Sequence, residues 1–130
     1  MGRPLACAAL AGVLAGVLTL AAGAALAQGD PDRGAAVFAR CATCHILTGK
    51  GFKGPPLAGV FERKAGTASG FAYSAAMTKS GIVWDDDSLN DFLADPAKMV
   101  PGTSMIGVAL PDPQERADVI ADLRAHSPPP

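Results

Sequence analysis

The chain is 130 residues long, with 11 basic and 12 acidic side chains and a formal charge of −1. That balance excludes the strongly basic surface of a nucleic-acid binder, and the length allows one small domain. No internal repeat and no strand-like alternation is visible, so the expected class is all-α with long loops.

Residues 1–27 read as an export signal. Arg3 is the only charge, Leu5 to Leu26 is uncharged and mostly apolar, and Ala25-Leu26-Ala27 is an A-x-A-like cleavage site. A run of about 20 apolar residues also suffices to span a bilayer, so a retained anchor is the alternative. The small-residue exit before Gln28 favours cleavage, and Cys7 falls within the signal. Residues 28–126 then form the domain. Ser127-Pro128-Pro129-Pro130 cannot continue a helix and reads as a loose tail, residues 127–130. Without Arg3, the mature chain keeps 10 basic and 12 acidic side chains, a charge of −2. A domain of this size buries only about two-thirds of its unfolded surface and is marginal by itself.

Asp30-Pro31 predicts a helix start, cap followed by an N1 proline, running to about Ala42. Its inward face is Gly34, Val37, Phe38 and Cys41, and a glycine there suggests close approach of another helix. Residues 46–59 and 66–72 read as loops. Ser74 to Lys79 predicts a short helix stopped by Gly81. Asp85-Asp86-Asp87 suits the N-terminus of a helix carrying Leu89, Phe92 and Leu93, broken at Asp95-Pro96, with one further turn to Met99. The last helix starts at Asp112-Pro113 and buries Val119, Ile120 and Leu123.

Cys41-Ala42-Thr43-Cys44-His45 carries the chemistry. Two cysteines at i, i+3 followed by histidine is the pattern for covalent c-type haem attachment. The thiols reach two vinyl groups, and the next side chain places its imidazole on the iron. A zinc site would need a second ligand pair. A redox dithiol would follow a strand in a βαβ unit, and a disulfide is the remaining alternative. Covalent haem would also supply much of the missing core, and in bacteria the thioethers are made outside the cytoplasm, as export requires. The second axial position decides the outcome: open, it admits oxygen or peroxide; filled, it makes an electron carrier. His126, Met77, Met99 and Met105 are the candidates. A lone Met is usually core filler, but Met105 ends the rigid turn Pro101-Gly102-Thr103-Ser104-Met105, and His126 sits beside the proline tail where exposure is expected.

With these motifs in order, residues 29–125 resemble the class I cytochrome c family. The resemblance rests on Cys41-Ala42-Thr43-Cys44-His45, Gly54-Pro55-Pro56-Leu57 and Gly59-Val60-Phe61-Glu62-Arg63-Lys64. It continues through Gly70-Phe71-Ala72-Tyr73, Gly81-Ile82-Val83-Trp84 and Pro101-Gly102-Thr103-Ser104-Met105. It implies a fold in which the first and last helices cross, with short helices and long loops wrapped around one haem c. It further implies iron held by His45 and Met105, the Pro55 carbonyl accepting from the His45 ring, and Arg63, Tyr73, Trp84 and Thr103 holding the propionates. The activity implied is one-electron transfer without bond chemistry, in a monomeric periplasmic protein. Its partners would be a cytochrome bc complex and a terminal oxidase or photosynthetic reaction centre, with membrane contact only through them. The competing readings are a small haem peroxidase or gas-binding protein with an open distal side, and a membrane-tethered carrier. Four positions depart from the family: Phe92 where a tyrosine is common, Met77 for a polar residue, Gly107 for an aromatic at the haem edge, and Asp122 for an aromatic on the last helix. The last is expected to loosen the helix crossing.

Charge is unevenly spread. Arg40 to Lys64 holds five basic residues and one acid, whereas residues from 65 onward hold four basic and nine acidic. Arg40, Lys50 and Lys53 flank the attachment motif, so an acidic partner is expected to be steered to that patch.

Overall fold

The structure, a computed structural model, describes Gly2 and residues 28–128; the signal or anchor reading of residues 1–27 lies outside the described residues, as do Pro129 and Pro130. The helices are α1 (Pro31–Cys41), α2 (Ala75–Lys79), α3 (Asp86–Ala94), α4 (Pro96–Met99) and α5 (Pro113–Ala125). Each starts where a short polar side chain can accept from an otherwise unpaired N–H. The caps are Asp30, Ser74, Asp85, Asp95 and Asp112. In three of them a proline follows at the first helical position, where its missing N–H costs nothing. At α3, Asp85 and Ser88 cap each other reciprocally. Among the described residues there is no strand, only an antiparallel bridge between Lys64 and Val83, and no helix long and apolar enough to cross a membrane.

The two ends of the domain cross. α1 packs on α5, and Gly34 makes this possible, since a Cβ there would fall on the Asp118 carbonyl. The crossing is locked by Asp118, only 4% exposed. It accepts from the Asp30 N–H at 2.8 Å, from Arg33 Nε at 2.9 Å and Nη2 at 3.0 Å, and from Gln114 Nε2 at 2.9 Å. The Arg33 guanidinium above all, then the Asp30 N–H, holds the Asp118 carboxyl well below the usual carboxylate range. Asp122, the position expected to loosen the crossing, lies buried against Gly34, with its carboxylate 3.5 Å from His126 Nδ1. Behind it the core gathers Val37, Val119 and Leu123 with Leu89, Phe92 and Trp84. Burying each such side chain contributes roughly 1.5–3 kcal/mol. Ser127 is tied back to α5, donating from its N–H to the Arg124 carbonyl and from its hydroxyl to the Leu123 carbonyl, both at 3.0 Å.

Candidate haem-binding site

The attachment motif sits where α1 ends. The N–H groups of Cys44 and His45 both donate to the Cys41 carbonyl, at 3.0 and 2.9 Å. This turns the chain so that Cys41, Cys44 and His45 face one cavity. Both cysteines carry free thiols and are half-buried. The following loop is tied beneath the histidine: Gly54 N–H donates to the Cys44 carbonyl at 2.9 Å, Leu57 N–H to Ile46 at 3.0 Å and Ala58 N–H to Leu47 at 2.9 Å. Those bonds bring the Pro55 carbonyl 2.8 Å from His45 Nδ1. The carbonyl can only accept, so Nδ1 carries the proton and Nε2 keeps its lone pair. Burial pushes the His45 imidazole below its ordinary pKa, and the Pro55 bond opposes this in part. The result is a neutral imidazole whose orientation is fixed. Gly54 lies under the ring, where a Cβ would come 2.5 Å from His45 Cε1.

The cavity is about 410 Å³. Pro55, Arg63, Tyr73, Trp84, Thr103 and Met105 line it together with Cys41, Cys44 and His45, so the site residues that the resemblance implies meet there. The Lys64–Val83 bridge explains part of this convergence, because Trp84 N–H donates to the Arg63 carbonyl at 3.1 Å and fixes the two side chains on one wall. Arg63 donates to the Pro56 carbonyl at 3.0 Å and the Ala58 carbonyl at 3.4 Å, which leaves further N–H groups of its five-donor fork. Burial lowers the Arg63 pKa, and the Tyr73 phenol counters it. Of the four axial candidates, Met77 and Met105 line the cavity, whereas Met99 and His126 do not. His126 instead holds the Asp122 carbonyl through Nδ1 at 2.9 Å. Met105 lies on the loop after α4, with its N–H donating to Thr103 Oγ1 at 3.2 Å.

These residues fit a haem: two thiols, an imidazole fixed through its second nitrogen, a thioether, side-chain donors for carboxylates and apolar walls. Among the described residues no group of three or more His, Cys, Asp or Glu is gathered as a bare metal ion would need.

Side chains that line the cavity and are also exposed mark its mouth. They are Arg40, Thr43 and Lys53 from the motif side, and Ser104, Ile106, Val108 and Ala109 from the distal loop. Sequence reasoning missed the second group, whose signal was the uncharged stretch around Met105. It also counted Arg40 as a free docking cation, which the structure corrects: Arg40 pairs with Glu115 at 2.7 Å. Asp118 was not singled out either, since its partners Asp30 and Arg33 lie at the other end of the domain.

A family model described as cytochrome c matches residues 31–127. Cytochrome c of Ulva intestinalis is 46% identical over 99 residues, 74% of this chain and 89% of that one. Cytochrome c2 of Rhodomicrobium vannielii is 48% identical over 101 residues, 76% of this chain and 81% of that one. The solved structure of cytochrome cH from Methylobacterium extorquens superposes with a TM-score of 0.72 at 45% identity, covering 75% of this chain and 99% of that one. Taken with a cavity that gathers the Cys-x-x-Cys-His motif, these matches show that the chain belongs to the cytochrome c family, carries one covalent haem c and serves as a one-electron carrier between redox proteins.

Proposed function

We propose that Cys41 and Cys44 hold the haem as thioethers, that His45 and Met105 are its axial ligands, and that the protein works in the periplasm. There it carries electrons from a cytochrome bc complex to a terminal oxidase or photosynthetic reaction centre. When bound, the haem supplies an Fe(III)/Fe(II) couple, and an imidazole–thioether ligand pair favours the reduced state. The observation that carries the ligation is the 2.8 Å contact between His45 Nδ1 and the Pro55 carbonyl, which leaves Nε2 free to ligate. Met105 is preferred to Met77 because Met77 is 8% exposed and packed in the core from α2. Met105 sits half-buried on a loop whose backbone is held by Thr103. Arg63, Tyr73, Trp84 and Thr103 offer donors to two carboxylates that would otherwise be costly to enclose. With both axial positions filled there is no open site for bond chemistry, so the protein is a carrier and not an enzyme.

The test is the visible spectrum of the purified oxidised protein. A weak charge-transfer band in the red, characteristic of thioether–Fe(III) ligation, is expected; a high-spin spectrum that takes up CO or peroxide directly would replace this reading with the open-site one. For the location, the intact mass of periplasmic protein should equal residues 28–130 plus one haem. Recovery only from membranes with residues 1–27 attached would show a tethered carrier.

A further inference from the structure

We infer that Arg116 is a positioning residue for Met105: from the last helix it clamps the far end of the loop that presents the thioether. The inference rests on the ligation proposed above and adds what holds its distal half in place.

Met105 belongs to a segment that leaves α4 at Met99 and ends where Pro113 opens α5. Near its start the chain is held by its own turn. Thr103 N–H donates to the Val100 carbonyl at 2.9 Å, and Met105 N–H to Thr103 Oγ1 at 3.2 Å. Residues 106–109 then run exposed and make no backbone bond among the described residues. The chain is next caught at Leu110 and Pro111. Leu110 N–H donates to the Leu93 carbonyl at 2.8 Å, and the carbonyls of Leu110 and Pro111 both accept from Arg116 Nη1, at 2.7 and 2.9 Å. Arg116 Nε donates to Asn90 Oδ1 at 2.8 Å. One guanidinium thus joins α5, α3 and the end of the Met105 loop.

The chemistry of the contact suits a clamp. Arg116 is half-buried, and no ion pair among the described residues includes it. Its charge is met instead by amide oxygens, and such charge-assisted bonds are stronger than neutral ones. The planar fork fixes their directions, which a lysine cannot do. Leu110 is 7% exposed and lines the same cavity as Met105, so the clamped residue is itself part of the site's wall. A loop fixed at both ends has few conformations to give up when its thioether reaches the iron. Freed at Leu110, it would have many, and that entropy opposes ligation. A merely structural Arg116 would staple α3 to α5 and affect stability alone.

The test uses the full haem-loaded, oxidised protein and imidazole as a competitor for the distal position. Titration is followed by loss of the red thioether–Fe(III) band, and Tm is measured on the helix signal of the same samples. Arg116→Gln should tighten imidazole binding about tenfold, because the charge-assisted bonds to the loop are lost. Arg116→Lys keeps the charge without the fork and should recover part of the difference. Asn90→Ala removes only the acceptor that orients the guanidinium, so its effect should be about twofold to threefold. Asp118→Asn is the control: it loosens the same helix where it crosses α1, and should lower Tm while leaving imidazole affinity within about twofold of the wild type. Imidazole binding that is unchanged in Arg116→Gln, or that tightens equally in Asp118→Asn, would overturn the inference. Should Arg116→Gln fail to fold, Arg116→Lys and Asn90→Ala decide in its place, and binding no tighter in both than in Asp118→Asn would overturn it as well. Absence of the red band from the wild type would instead defeat the Met105 ligation itself.

Discussion

The two sides of the cavity are built differently. On the proximal side His45 is buried, its ring nitrogen is held by Pro55, and the loop beneath it returns three backbone bonds to residues 44, 46 and 47. On the distal side Met105 is half-buried on a loop fixed at Thr103 and again at Leu110, whose N–H reaches the Leu93 carbonyl at 2.8 Å. Between these points residues 106–109 are exposed. His45 is therefore over-determined by backbone geometry, while Met105 depends on a segment anchored at its ends. In the proposed ligation the first side would fix the iron's place, and the second is where its properties could be changed.

The largest expected effect follows from removing the weakly anchored side. Met105→Ala should open the distal position, allow CO or cyanide to bind, and lower the potential by at least ~120 mV, since each ~59 mV is tenfold for a one-electron couple. Voltammetry and ligand titration read both effects. If Met77→Ala produces them instead, the distal side has been assigned to the wrong residue.

Gly54→Ala tests the rigid side. Its methyl would come 2.5 Å from the His45 ring, and overpacking of this kind costs about 1–3 kcal/mol. The expected outcome is a lower Tm together with an altered haem spectrum. A silent Gly54→Ala would mean that the proximal loop yields easily and that the contrast between the two sides is false.

A third test separates site from scaffold. Because the folded Asp118 carboxyl is held below the usual range, its bonds to Arg33, Asp30 and Gln114 stabilise the protein above the unfolded carboxylate pKa of about 3.9, and that stability is lost as pH falls below it. Asp118→Asn should lower Tm at neutral pH and flatten the pH dependence of unfolding below about pH 4. The spectrum should not change, which melts followed at both the helix signal and the haem band would check.

The smallest effect belongs to Gly107→Ala. Gly107 has φ +72° but open space around the missing Cβ, so only the backbone cost of roughly 1–2 kcal/mol applies. Thermal melts should show a modest loss with the potential nearly unchanged. A shift comparable to Gly54→Ala would show that the distal loop is as tightly constrained as the proximal one.

What the sequence made legible was local. Asp30-Pro31, Asp95-Pro96 and Asp112-Pro113 announce helix starts because a cap and an N1 proline are neighbours in the chain, and all three open helices in the structure. The attachment motif is equally local. The rigid turn before Met105 and the resemblance both point to it, but spacing leaves four candidates and the cavity itself still admits Met77. The pairing of Arg40 with Glu115 and of Arg33 with Asp118 could not be read at all. Both join residues from opposite ends of the domain, and no periodicity records such a meeting. The same blindness hid the carboxylate that Arg40 pairs with.

The crossing of α1 on α5 also ties the two ends of the domain together. Asp30 and Asp118 are 88 residues apart, so their meeting closes nearly the whole domain into one loop. The entropy cost of such closure grows only slowly with length, so the bonds at one buried carboxylate can hold both ends. The thiols of Cys41 and Cys44 stand at the end of α1, and the docking that fixes this helix on α5 also fixes where they stand.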